Sequence, residues 1–190
     1  MTGQTGTQIM NGVDVGKLKE TIQAITKTPS LADFRFRIVN KWQGGGLNQT
    51  TVKASYGAGQ EFSDRDGKFT MQADEPPILL SEDKAANPVE HLLHALAACV
   101  TTTMVYHAAA RGIPLDGVES HLEGELDLHG FLGLDPNVRK GFKNITVNVR
   151  VTGSLSEEQK QEVARLGSQF SPVYDMVTNS VPVTVKLSSR

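Results

Sequence analysis

Cysteine is almost absent from this sequence: 190 residues contain one, Cys99. A lone cysteine cannot form a disulfide within the chain, and it cannot build a cysteine-rich zinc site. The formal net charge of −2 gives no general attraction to nucleic acid or to an anionic membrane. The first residues lack the basic and apolar blocks of a secretion signal. These absences predict a reduced, cytoplasmic protein with no cofactor, no metal, no nucleic-acid partner and no membrane partner.

Long hydrophobic stretches are also scarce, and the sequence has one, NPVEHLLHALAACVTTTMVYHAAAR at residues 87–111. Its alanine and leucine content predicts a long helix. Pro88 suits the first helical position, and Gly112 suits the left-handed residue that follows a helix end. The length alone would allow a membrane span. Three consecutive threonines and a histidine near each end favour a buried helix of a soluble protein instead.

A helix that is apolar on nearly every side needs cover all round. The segments on either side of it alternate between polar and apolar residues, which predicts thin antiparallel sheets that cannot supply this cover. A second copy of the chain can supply it. We therefore predict an intertwined homodimer.

The rest of the sequence predicts an α+β fold. Residues 15–27 and 156–170 have apolar side chains at helical spacing, and a short helix follows Ser171. Alternation predicts strands at residues 32–42, 50–56, 68–73, 118–128, 142–151 and 181–187. Residues 1–12 have no periodicity and are predicted to be disordered. We predict one domain, residues 31–190, after an extension with one helix, residues 1–30.

Two blocks of the sequence resemble a known family. The block NPVEHLLHALAACVTTT resembles the central-helix motif of the OsmC/Ohr superfamily, in which Asn-Pro precedes acidic, leucine and Ala-Ala-Cys positions. The block SPVYDMVTNSVPVTVKL resembles the closing motif, which normally begins Cys-Pro-Val. The order of elements over residues 32–187 is also similar. The resemblance implies antiparallel sheets around a long buried central helix, in an intertwined homodimer.

The resemblance also implies a chemistry. The better-known members of this superfamily reduce organic hydroperoxides with a cysteine on the central helix, which becomes a sulfenic acid. The cysteine of the closing motif then forms a disulfide with it, and an external dithiol reduces that disulfide. A glutamate at the start of the central helix and an arginine near the first glycine-rich turn activate the first thiol. The position of the first cysteine corresponds to Cys99.

This sequence departs from the family pattern at three positions. The second cysteine corresponds to Ser171, which cannot form a disulfide. The family glutamate corresponds to Val89, and the acid has moved one place on to Glu90. On a straight helix Glu90 points away from Cys99 and lies about 13 Å along the axis, which makes it a weak catalytic candidate. The first turn, GGGLNQT, has no arginine, and the nearest candidates are Arg35, Arg37 and Arg65.

Each candidate also has a purely structural interpretation. Cys99 can be a small apolar side chain that only fills space in the core. It lies too far from the helix N-terminus for the helix dipole to activate its thiol, so we expect it to react slowly. Ser171 suits the N-cap of a helix that begins at Pro172. Glu90 suits the positive end of the helix dipole, and we favour this role for it.

Three further features are open to two interpretations. His91 and His94 lie three residues apart, but a zinc site needs a further ligand and the spacing indicates none. Tyr106 lies on the helix face of Cys99, where it either packs or lines a thiol pocket. The apolar loop at residues 131–136 either docks on a sheet, which we expect, or covers that pocket.

Two functions therefore remain open. The first is a one-cysteine reductase of organic hydroperoxides, in which an external thiol restores Cys99. The second is a non-catalytic dimer that keeps the family fold and binds a small apolar ligand. The missing glutamate, cysteine and arginine motivate the second hypothesis.

Overall fold

The computed structural model describes residues 8–188 and separates the chain into two compact units, residues 1–94 and 95–190. The helices are α1 (Val15–Lys27), α2 (Pro88–Ala110), α3 (Leu128–Phe131), α4 (Glu157–Phe170) and α5 (Pro172–Thr178). The strands are β1 (Ile9–Met10), β2 (Val13–Asp14), β3 (Ile38–Gly44), β4 (Leu47–Val52), β5 (Ser55–Gly57), β6 (Gln60–Phe62), β7 (Thr70–Ala73), β8 (Gly117–Glu125) and β9 (Asn144–Thr152). The described residues thus have the predicted α+β fold.

The first unit is built on a three-stranded antiparallel sheet in the order β3-β4-β7. Asn40 pairs with Thr50, and Thr50 pairs with Met71, so these residues share one face of the sheet. Ile38 and Trp42 lie on the same face because side chains alternate along a strand. Ile38, Trp42 and Met71 are 61%, 76% and 45% exposed. One face of this sheet therefore presents large apolar side chains to solvent.

The N-terminal helix has the predicted bounds, residues 15–27. Asp14 is its N-cap, and its side chain accepts a hydrogen bond from the backbone N–H of Lys17 at 3.0 Å. The prediction of disorder for residues 1–12 is wrong at its end, since Ile9–Met10 pairs with Val13–Asp14 in a small hairpin. Residues 1–7 lie outside the described residues.

A buried carboxylate organises the segment that leads into α2. Asp74 is 1% exposed and accepts hydrogen bonds from the Ser81 hydroxyl at 2.5 Å and the Lys84 backbone N–H at 3.0 Å. The Ser81 hydroxyl in turn accepts from the backbone N–H of Gly46 at 3.1 Å. These bonds tie the turn between β3 and β4 to the chain before α2. The Ser81 bond, followed by the Lys84 bond, holds the pKa of Asp74 below its ordinary value.

The second unit contains the hydrophobic core. Its hairpin of β8 and β9 runs in unbroken register from Gly117↔Thr152 to Glu125↔Asn144. The buried residues of α2 include a stripe at intervals of four: Leu96, Val100, Met104 and Ala108. They pack with Val163 of α4, which is fully buried. This stripe is the buried side of the predicted central helix.

Gly167 of α4 lies at a close approach of α4 to α2. A Cβ atom at this position would lie 2.8 Å from side-chain atoms of both Met104 and Val100. The two helices therefore pack against each other where α4 has no side chain. By length and composition α2 is also the one helix among residues 8–188 that could cross a membrane. Core helices pass the same test, and the stripe of α2 lies in the core of the second unit.

Two predictions about the second unit are wrong. Residues 181–187 are not a strand within the described chain, and Val183, Val185 and Leu187 are 83%, 93% and 100% exposed. These residues alternate like a strand, but within residues 8–188 no neighbouring strand pairs with them. The loop at residues 131–136 does not dock on a sheet, because Phe131 and Leu134 are 62% and 67% exposed.

Candidate functional site

Asn87 and Glu90 form a reciprocal cap at the start of α2. The Asn87 side chain accepts a hydrogen bond from the backbone N–H of Glu90, and the Glu90 carboxylate accepts one from the backbone N–H of Asn87, each at 2.8 Å. This pairing satisfies two N–H groups that a helix start leaves free. The carboxylate of Glu90 is thus engaged in capping, which agrees with the structural interpretation of this acid.

Cys99 lies at the edge of the buried stripe of α2. It is half-buried, and it lies between two core residues of the helix, Leu96 and Val100. At about 100° per residue, its side chain is offset from Val100 by about a quarter of a turn. Tyr106, two turns further along the same side, is 50% exposed. The thiol is therefore neither sealed in the core nor fully open to solvent.

The thiol has no polar partner in the part of the chain that the structure describes. Within residues 8–188 no hydrogen bond or ion pair involves the Cys99 sulfur. Each arginine candidate already has a partner in the first unit. Arg37 pairs with both carboxylate oxygens of Glu61 at 3.0 Å, and this bond lowers the pKa of Glu61. Arg35 and Arg65 lie over the rings of Tyr56 and Phe69.

Ser171 is buried at the junction of α4 and α5. It is 2% exposed, and its hydroxyl accepts a hydrogen bond from the backbone N–H of Tyr174 at 3.2 Å. It is the N-cap of α5, and Pro172 follows at the first helical position. The structure therefore gives Ser171 the capping role that the sequence allows. Its correspondence to the family's second cysteine remains a prediction.

A cavity that the sequence did not reveal lies beside α2 in the second unit. Its volume is about 420 Å³, and its walls are Val100, Ile145, Val147, Val149, Ala164, Ser168 and Tyr174. The Tyr174 hydroxyl makes no hydrogen bond within the described residues. The apolar alternation of β9 indicated an inward face, but only the packing of α4 and α5 shows that this face is incompletely filled.

His107 belongs to a cluster of polar and aromatic side chains near the end of α2. Its ring stacks on Phe170 with the centroids 4.3 Å apart, and its Nδ1 atom lies 3.1 Å from Nη1 of Arg111. Burial, and next the charge of Arg111, lower the pKa of His107. Arg111 also lies 3.6 Å from the carboxylate of Glu162 on α4. The sequence does not display this cluster, because Phe170 and Glu162 are distant from His107 along the chain.

The structure places the histidines near the start of α2 in separate environments. Nε2 of His91 bonds to the carbonyl oxygen of Gln72 at 2.8 Å, so this nitrogen carries the proton and donates. His94 is exposed. Among residues 8–188, no three His, Cys, Asp or Glu side chains are grouped to hold a metal ion.

Comparison with solved structures identifies several similar folds. An OsmC-like protein from Mycoplasma pneumoniae has 18% sequence identity and a TM-score of 0.59, over 77% of this chain and 89% of that one. An organic hydroperoxide resistance protein OsmC from Legionella pneumophila has 20% identity and a TM-score of 0.54, over 74% of this chain and 88% of that one. The organic hydroperoxide resistance protein OhrB of Bacillus subtilis has 20% identity and a TM-score of 0.50, over 81% of this chain and 98% of that one.

Comparison with curated proteins gives no match. A family model, described as OsmC-like protein, matches residues 81–186, which include all of α2 and reach past α5. This match covers more than half of the chain, and the similar solved structures have the same fold. The chain therefore belongs to the OsmC-like protein family.

Proposed function

We propose that this protein is a one-cysteine reductase of organic hydroperoxides that depends on an external thiol. The observation that carries the proposal is the position of Cys99, which is half-buried on the central helix and not sealed in the core. Some similar structures are named organic hydroperoxide resistance proteins, which agrees with this assignment. An accessible thiol is the first requirement for reaction with a peroxide.

The reaction needs one cysteine and two external thiols. The Cys99 thiolate attacks the terminal oxygen of the hydroperoxide; the O–O bond breaks, the alcohol leaves with a proton, and Cys99 becomes a sulfenic acid. A first external thiol condenses with the sulfenic acid to give a mixed disulfide and water. A second thiol attacks this disulfide, releases the external disulfide and restores Cys99. Ser171 takes no covalent part in this sequence.

The proposal is tested by treating the protein with one equivalent of cumene hydroperoxide and following Cys99 by mass spectrometry. One added oxygen at Cys99 within minutes, and a mixed disulfide when a small thiol is present, are expected. Cys99→Ser is the matched control and should stay unmodified. An unmodified Cys99 in the parent protein would exclude the enzymatic function.

Self-association is part of the same proposal. The protein forms a homodimer, because two apolar surfaces have no cover from residues 8–188: the exposed sheet face of the first unit and the exposed valines of residues 181–187. Two copies can cover such surfaces reciprocally. Light scattering should give the mass of two chains, and a stable monomer would contradict this part. A reducing cytoplasm suits a protein with one accessible free thiol.

A second function is favoured by the cavity beside α2. Its volume lies in the range of small-ligand sites, and five of its seven lining residues are apolar. The protein would then bind a small apolar molecule without chemistry at Cys99. A library of such molecules, screened by thermal shift, should give ligands that stabilise Cys99→Ala as much as the parent. Val147→Asp should abolish binding by charging the cavity wall, and retained binding would exclude this site.

A further inference from the structure

His107 and Arg111 form a hydrogen bond that exists only when His107 is neutral. A guanidinium group has five donors and no acceptor, so Nη1 of Arg111 must donate to Nδ1 of His107 across their 3.1 Å separation. The ring proton of the neutral histidine then lies on Nε2. A proton on Nδ1 would remove the acceptor and place two positive charges in contact.

This hydrogen bond belongs to a set of contacts that joins two helices. The His107 ring lies nearly parallel to Phe170, at an angle of 7°, and Phe170 is the last residue of α4. Arg111 provides a second link to α4, through the carboxylate of Glu162. Ser171, which caps α5, follows Phe170 directly. The end of α2 is thus linked to α4 at two points, one of them adjacent to the α4–α5 junction.

We propose that His107 is a proton-sensitive latch between the end of α2 and the α4–α5 junction. Neutral His107 accepts hydrogen bonds from Arg111 at its ring Nδ1 and, at 3.2 Å, at its backbone carbonyl oxygen, and the same guanidinium contacts Glu162. Protonated His107 repels Arg111, so the Glu162 contact and the stacking on Phe170 both weaken. The junction that carries Ser171 then opens more often at low pH than at neutral pH.

The charged surroundings support this direction of response. The charged group that faces His107 is Arg111, which directly follows α2, and Glu162 of α4 is linked to His107 through Arg111. Asp175 of α5 bonds to the Asn179 side chain at 3.0 Å, and no ion pair to it is present in residues 8–188. No acid in the described chain thus directly stabilises a charged His107. Burial, and next Arg111, lower the pKa of His107 from its ordinary 6.5, so the latch is closed near neutral pH.

Hydrogen exchange of the amides at residues 168–175 tests the latch. At about pH 5 these amides should open several-fold more often than at about pH 7.5, after correction for the intrinsic pH dependence of exchange. His107→Gln removes the titrating group and should make the corrected exchange independent of pH. His121→Gln alters an exposed histidine of β8 and should leave the pH dependence of the parent unchanged.

A pH dependence that persists in His107→Gln would overturn the latch. So would an NMR titration of the parent protein in which His107 has a pKa at or above about 6.5, since this measurement does not depend on how well a variant folds. Neither measurement involves a peroxide. A protein that fails to reduce hydroperoxides can therefore still have the latch, and an active enzyme can lack it.

Discussion

Asn87 and Glu90 accept hydrogen bonds from each other's backbone N–H groups at 2.8 Å, and this pair fixes the start of α2. Loss of an N-terminal cap typically lowers the free energy of unfolding by about 0.5–2 kcal/mol, so Glu90→Ala should destabilise the protein within this range. Glu90→Gln keeps an acceptor and should cost less. Urea unfolding measures both. Neither variant should slow oxidation of Cys99, and a slower rate in Glu90→Gln would restore a catalytic role for this acid.

Gly167→Ala should destabilise the second unit. The added methyl group would lie 2.8 Å from Val100 and Met104, and overpacking of this kind costs about 1–3 kcal/mol. The higher helix propensity of alanine offsets at most about 1 kcal/mol of that cost. Thermal unfolding should show a lower Tm. Gly141→Ala, where a Cβ meets no atom within 4 Å, is the control and should leave the Tm nearly unchanged.

Asp74→Asn should reduce stability in a pH-dependent way. Because hydrogen bonds, first that of Ser81, lower the pKa of Asp74 in the folded protein, its carboxylate stabilises the fold above the unfolded pKa of about 3.9. That contribution is lost as the pH falls through the lower, folded pKa. Unfolding curves of parent and variant should differ most near neutral pH and converge in acid. Asp64→Asn, at an exposed position, is the control; an equal effect there would refute the role of Asp74.

Ser171 permits two substitutions with different readouts. Ser171→Ala removes the N-cap of α5 and should lower the free energy of unfolding by about 1 kcal/mol without changing the first oxidation of Cys99. Ser171→Cys should give an intramolecular disulfide with Cys99 after one equivalent of peroxide, detected as the loss of both thiols. Cys99→Ser in the same background is the control. Persistence of a free thiol at position 171 would show that this position cannot serve as a resolving cysteine.

Local signals in the sequence were sufficient for four of the five helices among residues 8–188, and α3 was missed because residues up to 128 alternate like a strand. Val15–Lys27 has the predicted bounds, and α2 begins at Pro88 and ends before Gly112, whose φ of 72° is the left-handed conformation expected after a helix. α4 lies within the predicted range, with a complete capping box at Ser156. In each case the capping residues and the apolar spacing are neighbours in the chain, so the sequence displays them directly.

Strands were less predictable because pairing partners are distant in the sequence. Residues 32–37 alternate like a strand, yet β3 begins at Ile38, and only Arg35 forms a bridge, with Tyr56. Residues 57–67, which lie between two predicted strands, contain β6. The same distinction between local and long-range signals applies to the candidate site. The positions of Cys99, Glu90 and Ser171 on helices could be read from the sequence, whereas the His107 cluster and the cavity depend on how those helices pack.

The half-buried position of the single thiol has a practical consequence. Because Cys99 is the single cysteine, a maleimide spin label reacts with the chain at this position alone, and no other cysteine has to be removed first. In a homodimer each molecule would then carry two labels, one on each central helix. Pulsed electron spin resonance would measure the distance between them, and dilution with unlabelled protein would erase that signal only if the subunits exchange.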